Sequence, residues 1–161
     1  MSKKKNDKTN AIRLVEQQNI SYQEHEYAWN EEQLSADHVA EELNENISQI
    51  FKTLVVVGNK TGILVAVVPG DKELALKKLA KISQNKKVEM LHLKDLEKTT
   101  GYIRGGCSPI GMKKKFPTYI DITAQEFDSI LVSAGKRGLQ IKLAPADLAN
   151  LVDGEFVDIT V

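Results

Sequence analysis

Two apolar runs, Ile50–Val57 and Ile63–Val68, dominate the middle of the chain, and only Gly58-Asn59-Lys60-Thr61-Gly62 separates them. β-Branched residues on either side of a Gly/Asn turn predict a β-hairpin at the centre of a sheet. Upstream, Ile12, Leu14 and Val15 recur at helical spacing behind Thr9 or Asn10, either of which can cap a helix. Ser21–Tyr27 alternates in the manner of a strand, and Ser35 is placed to open a helix carrying Val39, Ala40 and Leu43. Downstream, Asp71 is the expected cap of a helix with Leu74, Leu76, Leu79, Ala80 and Ile82. A short strand at Lys87–Leu91 and a short helix at His92–Thr99 follow. Thr118–Ile122, Ile130–Val132 and Gly138–Leu143 read as strands. Pro145–Val152 reads as a helix opened by proline, and Phe156–Val161 as a strand closing the sheet. Strands and helices do not alternate strictly, so the pattern predicts an α+β domain with a mixed sheet.

One segment breaks this pattern of packed elements. Gly101-Tyr-Ile-Arg-Gly-Gly-Cys-Ser-Pro-Ile-Gly111 places four glycines and a proline in eleven residues. Gly105 and Gly106 let a ligand approach the main chain, and Pro109 stiffens the segment before Gly111 frees it again. Such a loop can aim peptide N–H groups at a carbonyl oxygen or a phosphate; it can equally be a plain connection. A second glycine loop, Ser133–Gly138, carries Lys136 and Arg137. It suits either phosphate binding or a solvated turn between strands.

Composition narrows the function classes. The chain has 161 residues, enough for one domain with a real core. Lys+Arg and Asp+Glu both number 22, so no overall charge advertises a nucleic-acid partner. The charge is uneven, however. Residues 1–8 form a Lys-rich tail expected to be disordered, 24–45 are acidic, and Lys113, Lys114 and Lys115 follow the first glycine loop. A single cysteine, Cys107, excludes an internal disulfide and fits a reducing compartment. With no signal-peptide pattern and no apolar run of membrane-spanning length, the sequence points to a cytoplasmic protein that uses no membrane. There is no CxxC, HxxxH, HExxH or GxxxxGK[ST], so neither a metal nor a nucleotide cofactor is expected.

Lys52 interrupts the first apolar run. On a buried strand it could serve as a general base if neutral, or as a cationic donor to an oxyanion or phosphate if charged. At the start of the strand it could also simply face solvent. Cys107 lies inside the glycine loop but has no local histidine signature. Compact packing suits it better than nucleophilic catalysis.

Several of these stretches occur together in a known order. Gln49-Ile-Phe-Lys52-Thr-Leu54, Gly101-Tyr102 with Gly105-Gly106-x-Ser108-Pro109-x-Gly111, and Ser133-x-Gly135-Lys136-Arg137-Gly138-Leu139 resemble the YbaK/EbsC family. So do Lys87–Met90, Pro117–Asp121 and Ala124–Phe127, and the likeness runs from about Ala11 to the C-terminus. Members are free-standing relatives of the editing domain inserted in some prolyl-tRNA synthetases. The resemblance implies a single domain over residues 9–161 with a central, barrel-like mixed sheet flanked by helices. It implies an aminoacyl-tRNA deacylase that removes cysteine from the acceptor end of tRNA(Pro), in association with prolyl-tRNA synthetase. It implies that the thiol of the substrate's own cysteine attacks its ester, so the protein needs no nucleophile.

On the same ground Lys52 is the key active-site residue, and Tyr27 matches a tyrosine thought to place the substrate. The glycine loop, with Gly101, Gly105, Gly106, Ser108, Pro109 and Gly111, shapes the aminoacyl pocket. Lys113–Lys115, Lys136 and Arg137 are the expected tRNA contacts, sequence-blind and salt-sensitive. The acidic residue that some members place after Gly-Leu is Gln140 here, which cannot act as a carboxylate. Competing expectations are an editing enzyme for another small amino acid such as alanine, a non-catalytic tRNA- or synthetase-binding module, and a hydrolase using Cys107.

Overall fold

A computed structural model describes residues 8–161. Of the expected basic tail only Lys8 falls among them, its ammonium 2.8 Å from Glu16; the rest lies outside the described residues. Five α-helices and eight strands follow. The helices are α1 (Asn10–Gln17), α2 (Ala36–Leu43), α3 (Leu76–Ile82), α4 (Leu96–Thr100) and α5 (Pro145–Val152). The strands are β1 (Gln23–Glu26), β2 (Phe51–Gly58), β3 (Gly62–Pro69), β4 (Val88–Met90), β5 (Thr118–Asp121), β6 (Ile130–Lys136), β7 (Leu139–Leu143) and β8 (Glu155–Val157).

The expected hairpin forms in full register, from Phe51 opposite Pro69 to Gly58 opposite Gly62. Its turn is clamped from outside by Asn85, whose side-chain oxygen accepts from the Lys60 and Thr61 amides at 2.8 and 3.0 Å. Thr9 and Ser35 cap α1 and α2 as their positions suggest. Asp71 does not cap α3. That helix begins only after Ala75, whose amide is held by the Ile159 carbonyl at 2.7 Å, while Leu74 bridges to Thr160. Pairing with the C-terminal segment therefore overrides the local cap, and the expected strand Phe156–Val161 shrinks to β8.

The strands divide into two sheets instead of one, and they do not close into a barrel. A mixed sheet runs β4-β2-β3-β5-β8, and an antiparallel one runs β1-β7-β6. A single parallel bridge, Ile50 to Leu131, joins them. One face of β2 and β3 contributes Phe51, Val65 and Val67 to a core shared with α1, α5 and β6. The opposite face contributes Val56, Leu64, Ala66 and Val68 to a core under α3. Alternation places Lys52 on that second face, beside Val68, between Ile50 and Leu54. β4 pairs with β2 only over Val56–Gly58, so the preceding part of that edge of β2 has no strand beside it.

Candidate active site

The unpaired stretch of β2 is the floor of a cavity of about 340 Å³. Ile50–Val55 line it, with Met90 and Leu91 from the end of β4, Leu34 and Val39 from around α2, and Gly105 and Cys107 from the glycine loop. Ser133 of β6 and Gln140 of β7, which face each other across the second sheet, complete the wall. The Val55 carbonyl already accepts from the Leu91 amide at 2.9 Å. By the two-residue alternation of an antiparallel strand, the Thr53 N–H and C=O point the same way, to the side where β4 has ended.

Lys52 is half-buried at this cavity, its Nζ 3.5 Å from the Gly70 carbonyl, and it forms no ion pair among the described residues. Tyr27 lines the same cavity, held by its amide's 2.9 Å bond to the Gly138 carbonyl. Among the described residues no histidine, aspartate or glutamate lines it. Burial pushes the Cys107 thiol up to about 12, although Thr100 hydrogen-bonds it in the opposing direction. The thiol is thus almost wholly protonated near neutral pH and a poor nucleophile. Among the described residues no three His, Cys, Asp or Glu side chains gather to hold a metal ion.

The glycine loop serves this cavity mostly from behind. Gly101 ends α4 in a left-handed turn, φ +89°, its amide bonded to the Glu97 carbonyl at 2.8 Å. Ser108 is fully buried and caps the Ile110 amide at 3.2 Å. Gly106 packs on the second glycine loop: a Cβ there would stand 2.9 Å from Lys136 Cα and 3.0 Å from the Arg137 nitrogen. The Arg137 Nε–H donates to the Arg104 carbonyl at 2.8 Å, so the two loops are joined beside Gly105. Tyr102, which sequence reasoning passed over, is the pillar between them. Its ring lies against Gly135, and its hydroxyl donates to the Ile110 carbonyl at 2.6 Å.

Lys136 and Arg137 therefore sit at the cavity's loop. Pro109, Gly111, Lys114 and Lys115 instead line a second groove with Leu14, Phe116 and Leu151. Lys115 pairs there with Asp153 at 2.8 Å, and Lys113 donates to the Lys98 carbonyl at 3.2 Å.

Two polar groups stand out that the sequence did not single out as site residues. Thr53 Oγ1 and Gln140 Oε1 are buried without a hydrogen-bond partner among the described residues, and both residues line the cavity. An unmatched buried polar group costs about 1–3 kcal/mol. The Gln140 oxygen can only accept and the Thr53 hydroxyl can accept or donate, so this wall is poised for a ligand that forms hydrogen bonds. The signal was present for Gln140, a polar residue among β7's apolar ones, but its direction depended on the sheet packing.

Residues 30–151 match the family model for an aminoacyl-tRNA editing domain. The chain is 65% identical over 161 residues to EbsC of Enterococcus faecalis, which carries the provisional name Cys-tRNA(Pro)/Cys-tRNA(Cys) deacylase; the match covers 99% of this chain and 98% of that protein. It is also 28% identical over 123 residues to the proline–tRNA ligase of Lactobacillus helveticus, covering 76% of this chain but 21% of the ligase. Among solved structures, one described provisionally as a trans-editing enzyme for prolyl-tRNA synthetase superposes with a TM-score of 0.81 at 21% identity, over 94% of this chain and 95% of that one. With its two-sheet fold, its cavity on the open edge of β2 and a family match over most of its length, the chain belongs to the aminoacyl-tRNA editing domain family.

Proposed function

We propose that the protein is a trans-acting deacylase that clears cysteine from mischarged tRNA(Pro) in the cytoplasm. The observation that carries this reading is the pairing of Lys52 with a cavity that, among the described residues, holds no histidine or carboxylate and no ionised thiol. Such a site supplies position and charge but no nucleophile. Cysteinyl ester brings its own: the substrate sulfur bonds to the ester carbonyl carbon, and the bond to the ribose oxygen breaks. The thiol proton ends on that oxygen, releasing tRNA and a thiolactone that water opens to cysteine. Intramolecular attack by a well-oriented group can lower a barrier by about 7–11 kcal/mol, so the protein need only hold thiol and carbonyl together and stabilise the oxyanion.

In this reading the Lys52 ammonium faces the developing oxyanion or the terminal nucleotide. The Thr53 N–H, directed to the side where β4 has ended, is a second donor on the same edge, and Tyr27 and Gly105 fix the placement. Lys136 and Arg137, on the loop beside Gly105, meet the tRNA backbone, and Lys113–Lys115, which follow the glycine loop, add charge. Occurrence of the same domain inside proline–tRNA ligases supports prolyl-tRNA synthetase as the partner that delivers the tRNA.

The test is deacylation of tRNA(Pro) charged separately with cysteine, alanine and proline, by the wild type and by Lys52→Ala. Rapid loss of cysteine alone, reduced about 100- to 1,000-fold by the substitution, is the expected result. A folded Lys52→Ala protein with full activity would refute the assignment of Lys52. Loss of alanine would move the specificity to another small amino acid, and no hydrolysis at all would favour a binding module.

A further inference from the structure

The cavity shares Leu34, Leu93, Leu96 and Arg104 with a shallower groove into which it continues, distinct from the one lined by Lys114 and Lys115. Lys94, Ile103 and Arg137 line its outer part, with Glu31 and Glu97 among them. Two large apolar side chains lie open to solvent there, Leu93 at 58% and Ile103 at 42% exposure. At its edge stands Trp29, 42% exposed, with the Arg137 guanidinium 5.3 Å from its ring centroid.

This tryptophan is held, not merely exposed. A Cβ on Gly138 would come within 2.6 Å of Trp29 Cδ1, so only glycine lets the ring lie against the β6–β7 turn. The flanking backbone is fixed at Ala28, whose carbonyl meets His38 Nε2 at 3.0 Å, and at Tyr27 by the bond to Gly138. Arg137 is fixed in turn by its 2.8 Å bond to the Arg104 carbonyl. An indole, a guanidinium and two exposed aliphatic side chains thus form one firm surface beginning at the cavity mouth.

We infer that this surface, Trp29 with Arg137, Arg104, Ile103 and Leu93, is a stacking platform for the unpaired nucleotides at the 3′ end of tRNA. The inference rests on the proposed function, which places the aminoacyl group in the cavity and so requires the single strand to leave by its mouth. Bases of a single strand bind flat aromatic and guanidinium faces whatever their identity, and the cations meet the phosphates between them. Glu31 and Glu97 offset most of the local positive charge, so stacking carries more of the binding than phosphate attraction does. A duplex would not use such a surface, because its bases are already stacked.

Trp29 is the chain's single tryptophan, so its fluorescence reports on this surface alone. Uncharged tRNA(Pro) is expected to change that fluorescence, and the same tRNA lacking its last four nucleotides is not. An equal response to both, or none to either, overturns the platform, and this arm does not depend on any deacylase activity. In the second arm Trp29→Ala should raise KM for Cys-tRNA(Pro) about tenfold with kcat retained, Trp29→Phe should recover most of the loss, and turnover of free cysteine ethyl ester should not change. If Trp29→Ala slowed the small ester as much as the tRNA, or left KM for tRNA unchanged, the ring would be part of the cavity's structure or irrelevant, and the inference would fall. Absence of deacylation by the wild type, with truncation-sensitive fluorescence intact, would sink the proposed reaction and leave the platform standing.

Discussion

Gly106→Ala is the smallest change that asks whether the two glycine loops act as one unit. The added methyl would lie 2.9 Å from Lys136 Cα, 3.0 Å from the Lys136 carbonyl carbon and 3.0 Å from the Arg137 nitrogen. All three are backbone atoms, so no side chain can swing away; the loops themselves must part. Overpacking of this kind costs about 1–3 kcal/mol. In a domain of this size a 2 kcal/mol loss lowers Tm by about 4–8 °C.

The displacement also reaches the site. Gly105 lines the cavity, and the Arg104–Arg137 hydrogen bond spans the same junction. Deacylation should therefore fall along with stability. Gly62→Ala provides the contrast. It has open space around it but a φ of +80°, so strain of about 1–2 kcal/mol arises in the hairpin turn, remote in the fold from the loop junction. Thermal unfolding and kcat/KM measured on both variants decide the matter. Gly62→Ala should lose stability alone, and Gly106→Ala both. Wild-type Tm and kcat/KM in Gly106→Ala, or a loss of stability with activity intact, would refute the coupling of the loops to the cavity.

Other outcomes follow from the buried polar groups. Gln140→Met and Thr53→Val each remove an unmatched buried polar group, so each should raise stability by about 1 kcal/mol in urea titrations while lowering deacylation. Wild-type activity in both would mean that neither contacts substrate. Burial holds both the Cys107 thiol and the Tyr102 hydroxyl protonated up to about 12, against ordinary values of 9.0 and 10.0. The unfolded chain therefore loses these protons first, and folding stability should fall as the pH climbs from about 9 towards 12. Urea midpoints across that range should fall less steeply in Cys107→Ala, whose deacylation at neutral pH should match the wild type.

What the sequence made legible was local. The β2–β3 hairpin, the Thr9 and Ser35 caps and the proline-opened helix α5 each depend on residues within a few positions of one another. Asp71 misled because the competing partner, the Ile159 carbonyl, lies far along the chain. The division into two sheets was hidden for the same reason: the backbone bridge that links them among the described residues joins Ile50 to the distant Leu131. The basic run 113–115 shows the limit of reading charge along a chain. Its neighbours in sequence form the glycine loop, yet Lys115 turns to Asp153 and Lys113 to the Lys98 carbonyl. Arg137, far from that loop in sequence, bonds to it directly.

Lys52 illustrates how such a site comes about. Its strand reads as continuous apolar sheet, where a lysine suits chemistry if buried and solvent if it lies at the strand's start. Its place is between the two, half-buried with Nζ 3.5 Å from the Gly70 carbonyl. β4 stops opposite Val56, the backbone bridge to β6 lies at Ile50 just before β2 begins, and the stretch between has no strand paired to it on that side among the described residues. An unpaired strand edge inside a fold costs hydrogen bonds unless something fills the gap. Here the gap is lined mainly by aliphatic side chains, with two unmatched polar groups, the Tyr27 ring, the Lys52 ammonium and the Arg104 guanidinium, a composition that stabilises the empty protein poorly and suits a small polar ligand well. The same missing strand that makes the cavity exposes the Thr53 peptide beside Lys52. Architecture and chemistry at this site thus have one origin, the early end of β4.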